Sequence, residues 1–284
     1  MVEPTGQEFW DRTGPAWVRH ADLLDEHLAA YGEAGVDALA PAPGERLVDI
    51  GCGCGATTLD LARRVGERGS VTGVDIADGM LEVARRRAEG AAVGNVTFVQ
   101  GDAGTVDLAE VAGGPLDGTY SRFGAMFFPD PVAAFTNIAA GLRPGGRLAL
   151  VVWQPREENH WNLVATSATD GILGDAPVLA PPGQPGPFGL ADEALIRSVL
   201  GDAGFADVEL TPFTAVDVLH ADTLDEDIGR LLQVGPMRTA WDEAEGEARA
   251  AAIQAVRAAL GPYAVGPDRY ELQGSAWVVT ASSG

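Results

Sequence analysis

Apolar residues near the start of the chain recur at helical spacing. Trp10, Trp17, Leu24, Leu28 and Tyr31 fall on one stripe, which predicts a helical segment over residues 7–40. His20 and His27 share that stripe, so each is expected to face a pocket as a hydrogen-bonding group. Pro41, Pro43 and Gly44 close the segment with turn chemistry. Beyond them, short apolar runs alternate with helix-period stretches: strands at 47–50, 71–75, 96–100, 116–121 and 147–153, helices at 57–65, 78–88 and 131–142. Strands separated by helices of this length predict a parallel sheet with right-handed crossovers. All five strands then deliver their C-terminal ends to one edge, where Ile50, Asp75, Gln100, Ser121 and Trp153 face a common crevice. Asp78 is expected to cap its helix.

After the fifth strand the pattern weakens. Residues 154–190 gather proline and glycine and lose periodicity, while 222–261 read as helical without a chemistry motif. Insertions at this edge of an α/β sheet commonly wall a substrate. A helix at 191–200, an alternating strand at 208–218 and a terminal strand at 276–281 complete the chain. The predicted layout is a helical lid at 1–43 and one α/β domain at 44–284, with cap insertions at about 154–190 and 219–267.

Composition narrows the function. With 284 residues the chain can bury a substantial core. The formal charge of −22 argues against a nucleic-acid partner, whose phosphates are gripped by basic side chains. All 19 basic residues are arginine, which removes lysine Schiff-base chemistry. Cys52 and Cys54 are the only cysteines, one residue apart in a glycine turn, and no Cys or His follows at zinc-ligand spacing. They are expected to line the turn, with no metal. No apolar run is long enough for membrane insertion and no leader opens the chain, so a cytoplasmic protein, monomer or homodimer, is expected.

The candidate chemistry centres on residues 46–62, RLVDIGCGCGATTLDLA. A strand, a turn carrying Gly51, Gly53 and Gly55, and a helix start follow one another there. Glycine lets a ligand approach the backbone, and the N–H groups at the helix start favour an anion. The spacing of Gly51, Gly53 and Ala56 also fits the dinucleotide fingerprint, and an acid such as Asp75 at the end of the next strand is expected in either reading. Context favours the first: Asp49 precedes the glycines, Gly101-Asp102-Ala103 follows the third strand, and Pro144-Gly145-Gly146 precedes the fifth.

On these motifs the chain resembles the class I S-adenosylmethionine (SAM) dependent methyltransferases, in the small-molecule branch of the ubiquinone/menaquinone methyltransferases. The resemblance implies a Rossmann-like, doubly wound, seven-stranded sheet with the last strand antiparallel beside the fifth. It implies that Asp49, Gly51, Gly53 and Gly55 hold the methionine end of SAM, that Asp75 takes the ribose hydroxyls, that Ile76 and Met80 lie against the adenine, and that Asp102 and the Ala103 backbone meet its ring. Ser121 would stand near the reactive methyl. The expected activity is methyl transfer to a small or medium-sized organic acceptor, a secondary metabolite among the candidates, with S-adenosylhomocysteine (SAH) as product. The alternatives are a SAM-binding protein of the same fold catalysing a non-methylating reaction such as cyclisation, and an NAD-dependent oxidoreductase. Trp17, Phe127 and Trp161 would line an apolar acceptor pocket. Arg122 would either pair with a rim aspartate or anchor an acidic group. His20 and His160 are the candidate bases, since histidine changes charge most easily near neutral pH.

Overall fold

The computed structural model describes residues 6–177 and 179–284. Its N-terminal segment is two helices, α1 (Gln7–Arg19) and α2 (Ala21–Leu39), because the expected continuous helix breaks at His20, where φ is −107° and ψ 20°. The break lets the two halves serve different surfaces. α2 buries Leu24, Leu28, Tyr31, Val36 and Leu39, at about 1.5–3 kcal/mol for each large side chain. It lies so close to the sheet that a Cβ on Gly35 would come within 2.4 Å of Val151 Cγ2. The Tyr120 hydroxyl donates to the Gly32 carbonyl at 3.1 Å and the Tyr31 hydroxyl to the Gly274 carbonyl at 2.9 Å. α2 is thus a layer of the main core.

β1 (Arg46–Ile50), α3 (Ala56–Val65), β2 (Ser70–Asp75), α4 (Asp78–Gly90), β3 (Val96–Gln100), α5 (Leu108–Val111), β4 (Leu116–Arg122), α6 (Pro131–Gly141) and β5 (Leu142–Trp153) form the alternating unit. The five strands are parallel. Central strands read as nearly unbroken buried runs, such as Leu148 to Trp153, as a sheet covered on both faces requires. α6 starts cleanly because the Asp130 carboxylate accepts from Ala133 N at 3.0 Å and Pro131 sits at the first helical position. Asp78, expected as a cap, is one residue too far along: Ala77 precedes the helix without a side-chain cap, and Asp78 pairs with Arg85 instead.

The first insertion is more ordered than its composition predicts. Its residues 160–169 form α7 (His160–Thr169), which buries Trp161, Val164 and Ala165. α8 (Glu193–Asp202) and β6 (Phe205–His220) follow. The second insertion is α9 (Leu224–Val234), α10 (Arg238–Glu243), α11 (Gly246–Ala259) and a short β7 (Ala264–Gly266), before β8 (Arg269–Ser283). β8 enters antiparallel between β5 and β6, giving the order β3-β2-β1-β4-β5-β8-β6, with β7 paired to β8 off this path. The seven-stranded sheet with its antiparallel last strand is as expected, with one short strand added.

β6 and β8 run to 16 and 15 residues, well past the alternating stretches that predict them. β5 stops pairing at Trp153, opposite Ala276, whereas β6 and β8 stay paired out to His220 and Arg269. The extra length is a two-stranded ribbon beyond the sheet. α9 packs on it, and α11 packs on α7 and α9, so the two insertions share one small core above the strand ends. Among the described residues, no helix is long and apolar enough to cross a membrane.

Candidate active site

The strand ends open into a cavity of about 250 Å³, floored by the glycine turn and roofed by α1, α2 and the segment that leads into α10. Each part of the floor has a separate physical cause. Gly51 and Gly53 take positive φ (66° and 53°), but they are glycine for different reasons. A Cβ on Gly51 would stand 2.9 Å from the Gly124 backbone, whereas one on Gly53 would meet only Met80 Sδ, at 3.8 Å. Gly51 is required by packing inside the protein, and Gly53 leaves bare backbone toward the cavity. Gly55 belongs with Gly51: its Cβ would press on Ala84 Cβ at 2.8 Å.

Asp75 links the turn to the next strand. Its Oδ2 accepts from Gly53 N at 2.7 Å and its Oδ1 from Ala77 N at 2.8 Å, while its side chain lines the cavity. Burial raises its pKa, opposed by those backbone N–H groups. Asp102 also lines the cavity; its Oδ1 accepts from Gly104 N at 2.8 Å. Ile76, Met80 and Ala103 supply apolar wall between these two acids.

Asp49 lies beneath the turn, wholly buried. Its Oδ2 accepts from Thr57 Oγ1 at 2.7 Å and Thr58 Oγ1 at 2.6 Å, and its Oδ1 has no partner among the described residues. Burial pushes its pKa up to about 6, against the two threonine hydrogen bonds and the charge of Arg122. Ser121 is likewise buried outside the wall, donating to the Ile50 carbonyl at 2.8 Å and accepting from Ala125 N at 3.1 Å. It fastens the end of β4 to the end of β1. The neighbouring thiols are held protonated: burial raises Cys52, and raises Cys54 to about 11.

The upper walls are aromatic. Phe9, Trp10 and Phe127 pack on one another, with Trp10 and Phe127 centroids 5.2 Å apart. Trp17 lies 5.9 Å from Trp10. On the other side, Phe123 stacks on Trp153 at 4.0 Å, and Trp161 tilts against Trp153 at 5.1 Å. Arg122 reaches this cavity, but Asp25 pairs with it at 3.1 Å and with Arg87 at 2.7 Å. Its rim-aspartate reading is therefore the geometry found.

The structure brings Trp17, Arg122, Phe127 and Trp161 into one wall with Asp75, Ile76, Met80, Asp102 and Ala103. It leaves two proposed histidines out of it. His20 sits at the α1–α2 break, with Nε2 2.9 Å from Asp242 Oδ1. His160 begins α7 on the far side, where its Nδ1 accepts from Gln273 N at 3.4 Å and its ring packs against Tyr263. His27 does line the cavity, with Nδ1 3.0 Å from Asp217 Oδ1. Arg238 is a wall residue with no sequence signal at all, one of several arginines in an acidic, motif-free insertion.

Comparisons with known proteins show the family to which this fold belongs. A methyltransferase domain family matches residues 47–146, from β1 into β5. Nocamycin O-methyltransferase of Saccharothrix syringae is 31% identical over 277 residues, which takes in 94% of this chain and 90% of that one. Aklanonic acid methyltransferase of Streptomyces sp. (strain C5) is 39% identical over 124 residues, 44% of this chain and 55% of that one, so the chain spans about half of that relative. Among solved structures, the YcgJ protein from Bacillus subtilis superposes with a TM-score of 0.55 at 18% identity, over 89% of this chain and 97% of that one. Phosphoethanolamine N-methyltransferase 2 of Haemonchus contortus, solved in complex with S-adenosyl-L-methionine, gives 0.54 at 19% identity, over 89% and 52%. At these identities the structures share the fold. A relative matched along nearly its whole length, together with an acid-and-glycine edge built on that fold, makes this chain a member of the class I S-adenosylmethionine-dependent methyltransferases.

Proposed function

We propose that the protein transfers the methyl group of SAM to an oxygen of a small, largely aromatic acceptor of secondary-metabolite type held in the roofed cavity. The observation that carries this reading is the meeting, at one sheet edge, of an open-faced glycine turn and two carboxylates with an aromatic-walled cavity. Two O-methyltransferase relatives, from Saccharothrix syringae and from Penicillium expansum, support oxygen as the receiving atom.

The residues present fit the donor. Gly53 offers bare backbone to the methionine end, and Gly51 and Gly55 hold the turn in shape beside it. Asp49 puts an unsatisfied acceptor oxygen under that turn, which suits a cationic group above. Asp75 receives the ribose hydroxyls, since each carboxylate oxygen keeps a lone pair after its backbone bond. Ile76 and Met80 cover the adenine, the Ala103 backbone meets its edge, and Asp102 accepts from its amino group through the oxygen Gly104 leaves free. Bound SAM supplies a sulfonium methyl, already a strong electrophile. The chain's own task is to align the acceptor oxygen and exclude water, and Trp17, Phe127 and Trp161 do both by enclosing an apolar ligand. Ser121 contributes indirectly by fixing the β4 turn.

Neither His20 nor His160 reaches the wall, so the reading routes no proton through them. A protonated acceptor passes its proton to His27, and an ionised one needs no base. The helices of residues 1–43 and the 219–267 insertion act together as the roof. The test is incubation of purified protein with SAM and a panel of aromatic phenols and carboxylic acids. Formation of SAH together with a product heavier by one CH2 supports the proposal. A rearranged product of unchanged composition points to the non-methylating alternative, and failure to bind SAH overturns both.

A further inference from the structure

Among the described residues, the arginines at and just behind the cavity are paired with carboxylates of this chain, with one exception. Arg122 has Asp25, and Arg87, just behind the glycine turn, shares Asp25 and adds Asp22. Arg238 has none within 4.0 Å among the described residues. Its Nη1 donates to the Gly235 carbonyl at 3.0 Å, and its guanidinium lies 4.4 Å above the Trp17 ring. Its Nε is buried without a partner, as is the Trp17 indole Nε1. The Nε and Nη2 edge, one of the two forks that match a carboxylate, is therefore uncommitted.

The nearest candidate counter-ion is held elsewhere. Asp242 is one helical turn along α10 from Arg238, on the face where the two could pair. It is instead taken by Arg19 and His20 at the α1–α2 break. Arg19 engages Asp242 Oδ2 and His20 engages Oδ1, so both carboxylate oxygens are committed at the break. Burial lowers the Arg238 pKa to about 10, with Asp242 opposing, and that leaves the group charged at neutral pH. Burying a cation without a partner costs several kcal/mol in general. A fold that does so inside a ligand cavity leaves the pairing to the ligand.

We propose that Arg238, stacked on Trp17, is the recognition site for an anionic oxygen group on the acceptor, so that the acceptor is an aromatic acid, either a carboxylate or an ionised phenol. This rests on the methyltransferase reading but adds the substrate's charge to it. It also explains how a chain of net charge −22 takes up an anion, which the overall field disfavours and only a local cation can hold.

The test uses the full chain saturated with SAH and a matched probe set: anthraquinone-2-carboxylate, its primary amide and 2-hydroxyanthraquinone. Binding is followed by calorimetry at a pH above the phenol's pKa. Wild type is expected to bind one or both anions about tenfold or more tighter than the amide, the margin typical of a charge-assisted fork. The carboxylate and phenol arms tell which acid is read. Arg238→Met should abolish that margin while SAH affinity stays unchanged, and Arg238→Lys should recover part of it. If Arg238→Met fails to fold, Arg238→Lys decides: a reduced margin supports the proposal, and a margin equal to that of wild type overturns it. Equal binding of anion and amide, binding of neither anion, or a margin that survives in Arg238→Met overturns the proposal. Loss of SAH binding by the wild type would instead count against the underlying reading.

Discussion

Asp75 both braces the turn through Gly53 N and faces the cavity. Asp75→Ala should weaken SAM binding by about 1.5–3 kcal/mol, the worth of hydrogen bonds to a charged group. Asp102→Asn should be milder, since a carbonyl acceptor survives. Calorimetry measures both, and unchanged affinity in Asp75→Ala would remove that residue from the site. Gly53 separates ligand from fold. Because its missing side chain would touch only Met80, Gly53→Val should cost stability only the strain of positive φ, on the order of 1–3 kcal/mol, yet eliminate SAH binding. A variant that binds SAH normally would place the ligand elsewhere. Asp49 gives a pH signature. Its folded pKa, about 6, lies above the ordinary 3.8, so between these values the native chain holds a proton that the unfolded chain has lost. Stability from this group is present below pH 4 and disappears as pH rises through 6. Asp49→Asn cannot ionise and should raise thermal stability without cofactor by about 1–3 kcal/mol at neutral pH, with the gain closing toward pH 4, while SAM affinity falls. A variant equally destabilised at both pH values would mean that the buried charge carries no penalty.

At the level of elements, the same substitution should have opposite signs on two helices. Gly35 in α2 lies against Val151 and Tyr120, where a Cβ would be 2.4 Å and 2.9 Å from core side chains. Gly201 in α8 has nothing within 4 Å. Alanine gains about 1 kcal/mol of helix propensity at either position, but overpacking costs about 1–3 kcal/mol at Gly35 alone. Urea unfolding should therefore find Gly201→Ala stabilised and Gly35→Ala destabilised by on the order of 1 kcal/mol. Stabilisation of both would mean that α2 sits more loosely on the sheet than described, and that the N-terminal helices are a detachable lid.

For the whole molecule, 41 acids against 19 bases leave net self-repulsion in the folded state. Raising salt from about 10 mM to about 300 mM shortens the Debye length from about 30 Å to under 10 Å, and should raise the melting temperature. The local pairs at the roof, such as Asp242 with Arg19 and His20, are weakened by the same screening. They are few beside the excess charge, so a melting temperature that falls with salt would show that ion pairs outweigh repulsion.

The sequence by itself determined the alternating sheet, the edge where its strands end and the two acids that line the cavity there, because these depend on local periodicity and on turns whose chemistry is written in consecutive residues. Asp75 and Asp102 could be found by counting strands. What only tertiary structure decided is long-range. Composition marked 154–190 as loop, yet α7 forms there because α11, some ninety residues later, offers it an apolar face. The stripe that grouped His20 with His27 assumed one helix; the break at His20 turned one imidazole toward Asp242 and the other into the cavity. Arg238 had no motif to mark it. Its meaning depends on which carboxylates fail to reach it, and that absence exists only once α10, α1 and the ribbon have been packed together.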